Sequence, residues 1–447
     1  LVLSNQDLQE VVVVGYGTQK KSVVTGAISS IKAKDLEDLP ITRIEQSLQG
    51  RVSGVFIAAN SGAPGSSATV RVRGITSLGN NEPLWVIDGV VVDAGGIGFL
   101  NQSDIASVEV LKDAASQAIY GARSAAGVIL VTTKKGKAGK MSVSYTGYSG
   151  FSSAARKLKM LNATEYATLN NESRAASNLA IQFPNPESYG VGTDWQDAIF
   201  NDSAFRFSHD VSLSGGNDVS TFYVSFGMLD QEGIVGEAKS GFLRNTARIS
   251  LGADISDKLK LKTNVIYTYF NRKSLNENGL GSVLFNALNS PATLAPYDAN
   301  GDYTLVPSTT GLGIEIINPL AQISNTNNDY NFKKLNGNFG LDYKLFDGFV
   351  LSSSMGFNTS NSESRNFAKQ VSYGGKVFDV ARSSVSQSAV NDNDYSFDIF
   401  GTYTKKIADS HNFSATLGNT IYKQWGNGLF ATGYDVPNNS WDYADIS

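Results

Sequence analysis

The chain has 447 residues and no cysteine, so its length predicts two or three domains or one large β architecture, while disulfides, thiolate metal sites and cysteine nucleophiles are excluded. A net charge of -4 supplies no basic field, and no stretch interleaves Lys and Arg with stacking aromatics, which excludes nucleic acid as a partner. Only 17% of residues are charged, against 44 Gly, 19 Tyr and 23 Phe, a mixture that favours β structure rich in turns.

From Leu1 onward there is no basic segment followed by an apolar run and a small-residue cleavage site, so the reading is of mature or trimmed material. Nowhere do about 18 consecutive apolar residues occur, which removes a spanning helix but leaves a spanning barrel open. Residues 1–21 contain an isolated β-branched run, Val11, Val12, Val13 and Val14, followed by Gly15 and Tyr16. Such a run either pairs its backbone with a strand of another protein or forms a buried strand; both readings stand at this point.

Residues 22–137 read as a compact mixed α/β unit, with short apolar strands at 55–58, 84–87, 108–111 and 128–131. A helix over 42–49 has Thr42 as its cap, Ile44 and Leu48 as its apolar stripe and Gly50 at its end. A second is expected over 113–120, closed by Gly121. Two links, 61–67 and 76–81, are rich in glycine, serine and asparagine.

From 138 to 447 the grammar becomes long alternating strands. Phe205, Phe207, Val211 and Leu213 share one parity, as do Phe222, Val224, Phe226 and Met228, with Ser, Thr, Asn, Asp, Lys and Gly opposite. Counting 141–148 as the first, nine strands are expected, joined alternately by tight turns and by long links near 152–203, 230–241, 271–331 and 358–394. Strict alternation of short and long links suits a membrane barrel, whose hairpins must return to the same side; a soluble β core packed with aromatics is the other reading. Tyr145, Tyr267, Tyr269, Tyr343, Tyr395 and Tyr403 then become candidate interfacial girdles. Nine strands do not close an ordinary even-numbered barrel, and 426–447 reads as a loop, so the chain is expected to continue in the intact protein or the sequence to be partial.

Residues 10–21, Glu-Val-Val-Val-Val-Gly-Tyr-Gly-Thr-Gln-Lys-Lys, resemble the TonB-box segment of SusC-like (RagA-like) TonB-dependent outer-membrane transporters. Residues 83–89, Pro-Leu-Trp-Val-Ile-Asp-Gly, and the run from Asp104 through Lys134 resemble the plug signature of the same family, in the same order. The resemblance implies a TonB box at Val11, Val12, Val13, Val14, Gly15 and Tyr16 with a linker to 21, a plug over 22–137, and the first part of a transmembrane antiparallel β-barrel over 138–447. It further implies active import in the outer membrane of a Gram-negative bacterium: external cargo shifts the plug and frees the box for the inner-membrane TonB motor complex. A SusD-like surface lipoprotein as lid, surrounding outer-membrane lipid and a dimer of transporter–lipoprotein units belong to the same implication. The cargo expected is an oligosaccharide first and an oligopeptide second. Siderophore or haem uptake, and outside the class a surface adhesin or soluble β-sandwich module, are the alternatives. Two family features are not seen in this sequence, a small immunoglobulin-like extension before the box and a full barrel of about 22 strands.

Ser61, Ser66, Asn80 and Asn81 are the candidate substrate-facing residues of the plug, while Arg71, Arg73, Glu109, Lys112 and Arg123 are expected to ion-pair plug and wall. Catalytic chemistry finds no constellation. His209 and His411 lie in strands without a ligand motif, and residues 298–302, Asp-Ala-Asn-Gly-Asp, begin like a calcium loop but place Thr309 where the bidentate Glu belongs. No cofactor is expected, apart from calcium in that loop.

Overall fold

The computed structural model describes residues 11–14, 17–20, 28–35, 43–92, 97–113, 118–276, 278–307, 315–407 and 411–446. The first described strands, β1 (Val11–Val14) and β2 (Gly17–Lys20), form an antiparallel two-stranded sheet with Val11 opposite Lys20.

A five-stranded sheet follows, built from β3 (Ile28–Lys32), β6 (Leu84–Ile87), β7 (Val90–Val92), β8 (Ile105–Leu111) and β9 (Val128–Thr133). Its order is β3-β8-β9-β6-β7, and β6 lies parallel to β9. Parallel neighbours need a crossover and are covered on both faces, which is why residues 128–131 are an unbroken apolar run with every side chain buried. One face packs Val108, Val110, Ile129 and Val131 onto the hairpin of β4 (Val55–Ala59) and β5 (Ala68–Val72) and onto α1 (Ile44–Ser47). The other buries Val86, Leu111, Val128 and Leu130.

Two helix expectations are corrected here. The first helix is one turn long, and its N-cap is Arg43 in extended conformation with no side-chain cap; Thr42 lies outside the described residues. Ile44 and Leu48 do point into the core. In the second segment 114–117 fall outside the described residues, and 118–124 form a 3-10 turn broken at Gly121, whose φ of 68° needs a glycine.

The nine-stranded sheet is a sequential antiparallel meander: β10 (Gly139–Ser152), β11 (Ala204–Gly216), β12 (Ser220–Glu232), β13 (Gly241–Asp254), β14 (Leu259–Lys273), β15 (Thr326–Phe346), β16 (Phe349–Ala368), β17 (Ser384–Ile407) and β18 (His411–Tyr434). The expected count holds, but the long links are shorter than read from sequence, at 153–203, 233–240, 274–325 and 369–383. Residues 426–434 continue β18 rather than forming a loop. The later strands run to 24 residues, beyond the ~9–11 that a tilted strand needs to cross a bilayer. Their excess lies at the long-link end, where polar residues dominate and the apolar alternation weakens.

The two faces of this sheet are inverted relative to a soluble protein. Phe226 and Ile249 are 52% and 49% exposed, whereas Arg248 and Thr268 are 1% and 0% exposed. An apolar outer surface over a polar, plug-filled interior is what hydrocarbon outside demands, and it excludes the soluble sandwich reading. Near the tight turns, Phe346 stacks on Phe349 at 5.1 Å and Tyr403 joins them; farther up, Tyr395 meets Trp425 edge-on at 6.1 Å. These are two aromatic levels on the outer face. The long links pack on one another: Trp195 and Ile199 of α2 (Trp195–Ile199), Val235, and Val283 and Ala287 of α3 (Val283–Asn289) share one small core.

Candidate functional site

The site grows from how the plug sheet meets the wall. Strands β8 and β9 aim their polar ends at the inner face of β11 to β16, and alternate inward residues of the wall answer with hydrogen-bonding groups. Asp104, buried just before β8, accepts from Tyr223 Oη at 3.0 Å and from Ser225 Oγ at 2.6 Å. Arg248 stands 4.0 Å away, donates through Nε to Asn264 at 2.8 Å, and reaches Thr133 and the Lys134 carbonyl. Asn264 in turn donates to Asp88 at 2.9 Å, whose other oxygen accepts from the Thr133 N–H at 3.0 Å.

Farther along, the exposed carbonyls of the plug are taken up one by one. Arg244 donates to Gly98 at 3.0 Å, Thr268 to Phe99 at 2.8 Å, Asn338 to Asp88 at 2.7 Å and Asn358 to Val91 at 2.9 Å. Burial pushes the Asp104 carboxyl above its ordinary range, and the nearby Arg248 guanidinium pulls in the other direction. The interface is therefore a polar clamp in which Asp104, Arg244 and Arg248 are withdrawn from water. Sequence reasoning missed its wall half. The available signal was a pair of arginines, Arg244 and Arg248, on the inward parity of an otherwise weakly charged strand.

The five residues expected to ion-pair plug and wall do something else. Among the described residues no ion pair joins Arg71, Arg73, Glu109, Lys112 or Arg123 to the wall. Glu109 is buried inside the plug, where it accepts from Ser30 at 3.4 Å and burial pushes its carboxyl up. Lys112 donates to Ser29 at 2.5 Å and Arg71 to its neighbour's carbonyl, Val70, at 3.0 Å. Arg73 sits at positive φ in the strand-end turn. Only Arg123 reaches the wall, lying over the Tyr422 ring at 4.5 Å, so it uses an aromatic face and not a carboxylate.

Val11, Val12, Val13 and Val14 form β1, paired to β2; Gly15 and Tyr16 lie outside the described residues. Ser61 and Ser66 knit one loop: Ser61 Oγ accepts from the Ala63 N–H at 2.9 Å, and Ser66 Oγ donates to the Ser61 carbonyl at 3.1 Å. That loop touches the long-link end of the wall, because Gly65 faces Phe242 so closely that a Cβ there would stand 2.3 Å from the ring. Asn81 is buried and spent on its own loop, accepting from the Thr76 and Ser77 N–H groups at 2.8 Å each and donating to Gly79 at 2.9 Å. Asn80 is exposed and accepts from the Glu82 N–H at 2.9 Å. The structure thus brings Ser61 and Ser66 to the wall's outer rim and leaves Asn80 and Asn81 in a separate loop.

His209 bonds Tyr145 Oη at 2.7 Å on the outer surface. Asp298 closes a turn by accepting from the Asn300 and Asp302 N–H groups at 2.8 and 3.0 Å, and among the described residues no group of three His, Cys, Asp or Glu is placed to hold a metal.

Residues 20–128 match the TonB-dependent Receptor Plug Domain family. TonB-dependent receptor P26 of Formosa agariphila is 34% identical over 450 residues, covering 99% of this chain and 44% of its own length. TonB-dependent receptor SusC of Bacteroides thetaiotaomicron is 33% identical over 440 residues, covering 92% of this chain and 42% of its own. The chain thus spans less than half the length of these curated relatives. Among solved structures, the RagAB peptide importer in its open-open state superposes with a TM-score of 0.82 at 25% identity, covering 95% of this chain and 50% of that one. The ferripyoverdine receptor of the Pseudomonas aeruginosa outer membrane reaches 0.57 at 13% identity, covering 98% and 48%, a likeness of fold alone.

Proposed function

We propose that this chain, with its plug and nine barrel strands, is part of a SusC-like TonB-dependent receptor, and that the intact protein imports an oligomeric nutrient across the outer membrane. The observation that carries the proposal is the clamp: a plug fills the polar side of a wall whose other side is apolar. A plugged barrel passes nothing until the clamp is rearranged, and the outer membrane has no energy source of its own. Work must therefore arrive from the periplasmic side through a segment that a partner can grip.

The β1 run, with Gly15 and Tyr16 after it, is that segment in our reading, the remainder of 1–21 being its linker. A short two-stranded ribbon is marginal alone and exchanges its partner cheaply, so β1 can leave β2 and add to a strand of TonB. The long links, packed into a layer at the opposite end, supply the docking face for a SusD-like lipoprotein, and two such pairs assembling as a dimer is consistent with the family. Oligosaccharide is the first cargo reading. Oligopeptide is the second, favoured by the 0.82 superposition on a peptide importer. Ser61 and Ser66 belong to the cargo side in this reading because their loop meets the rim at Phe242.

Deleting residues 10–16 from the intact receptor tests the coupling. Energised uptake by whole cells is expected to vanish while cargo binding at the surface persists; uptake at the undeleted rate would refute the assignment.

A further inference from the structure

Directly above the clamp the inner wall changes character. Facing residues across the strands run Phe242, Arg272, Tyr330, Ser364 and Ser388 in one row. The adjoining row toward the plug holds Phe270 and Phe332, whose rings stack at 4.8 Å and 25°. Phe242 lies 5.3 Å from Phe270, and Tyr330 lies 5.9 Å from it, so four rings, tilted 25° to 45° at these contacts, make one aromatic platform. All share the inward parity of Thr268, which bonds the plug at Phe99. The platform therefore faces the lumen, with Phe242 itself buried against the plug loop at Gly65.

Arg272 is the anomaly in this row. Its guanidinium lies over the Tyr330 ring at 5.4 Å, and its Nε is buried with no hydrogen-bond partner among the described residues. A buried guanidinium donor left unbonded costs free energy that neither packing nor the ring recovers. The carboxylates of the neighbouring strands do not serve it: Asp329 belongs to the opposite parity, where it accepts from Asn271, and so does Asp230, paired across from Leu243. Beyond Tyr330 the row continues as hydroxyls, with Ser364 and Ser388 2.7 Å apart.

We propose that this patch is a cargo subsite for an acidic oligosaccharide, with Arg272 forking onto a ring carboxylate or sulfate. The inference rests on the importer reading and adds the chemical class of its cargo. A sugar ring offers an apolar face to the platform, hydroxyls to the serine row and, when acidic, a planar anion that matches the guanidinium fork. An acidic peptide satisfies the cation but leaves the hydroxyl row without a reason.

The test uses the intact receptor in detergent and three probes: an oligogalacturonate, the neutral maltohexaose and a Glu-rich peptide of similar length. Calorimetry is expected to show the oligogalacturonate binding best, with affinity falling as salt rises. Arg272→Met should weaken it by about tenfold to a hundredfold, the range of a lost charge-assisted hydrogen bond. Arg272→Lys should restore part of the loss, since it keeps the charge without the fork. Heat-modified gel mobility identical to wild type shows that the variants are folded. Unchanged binding in Arg272→Met, or preference for the neutral sugar or for the peptide, overturns the proposal. Cellular uptake separates the two readings. Energised uptake that ignores Arg272 sinks the subsite and spares the importer, whereas Arg272-dependent binding without energised uptake does the reverse.

Discussion

Asp104 and Arg248 form a buried charge pair within the plug–wall interface. Both are withdrawn from water, yet they stand 4.0 Å apart, and Arg248 Nη1 has no hydrogen-bond partner among the described residues. A buried pair of this kind adds little net stability, but removing one member strands the other charge and costs about 3–5 kcal/mol. Arg248→Met in the intact receptor should therefore loosen the plug, seen as leak conductance in planar bilayers, and adding Asp104→Asn should recover most of the seal. Equal leak from single and double variants would show that the charges are not coupled. The sign of the pH effect follows. Burial already raises the Asp104 carboxyl above its ordinary 3.8, and removing Arg248 raises it further. A group with a raised docked pKa stabilises docking below 3.8 and loses that contribution as pH climbs through the docked value. The single variant should reseal progressively as pH is lowered toward 4, and the double variant should not respond. At this scale the sequence was least legible: Asp104 reads as a turn cap, and nothing local to it announces a partner on a strand more than a hundred residues away.

Elements were legible where one face of a strand meets hydrocarbon and the other meets polar groups. Phe222, Val224 and Phe226 alternate with Tyr223 and Ser225, and the parity assignment follows the burial found. It failed beyond the bilayer. In β16 the stretch from Asn358 on is Asn, Thr and Ser with Glu363 and Arg365, polar on both faces, so a strand that continues to Ala368 looks like a loop. The link layer is a second case, since its core forms between segments far apart in the chain. Trp195 anchors it, buried in the shared core and donating through Nε1 to the Pro291 carbonyl at 3.0 Å. Trp195→Ala should cost that layer about 3–5 kcal/mol. Because the strands are held by their own ladders, the barrel's heat-modified mobility should persist while limited proteolysis cuts links 153–203 and 274–325. A protease pattern matching wild type would mean the links fold independently of this core.

At the scale of the whole molecule, the sheet's own direction rules constrain what it can do. Neighbouring strands alternate in direction through all nine, so β10 and β18 run the same way. Joining them would require a parallel seam, whereas every other contact in the sheet is antiparallel. Both are long: β10 has 14 residues and β18 has 24, so a direct seam would also leave much of β18 without a partner. Unpaired backbone groups cost several kcal/mol each in hydrocarbon, which makes an open edge of this length untenable in a bilayer and an aggregation template in detergent. A polypeptide restricted to these 447 residues should therefore refold into edge-paired oligomers, visible as a broad high-mass species by light scattering in detergent. A sharp monomer that protects the plug from protease would require the parallel seam and would force a different view of how this wall closes.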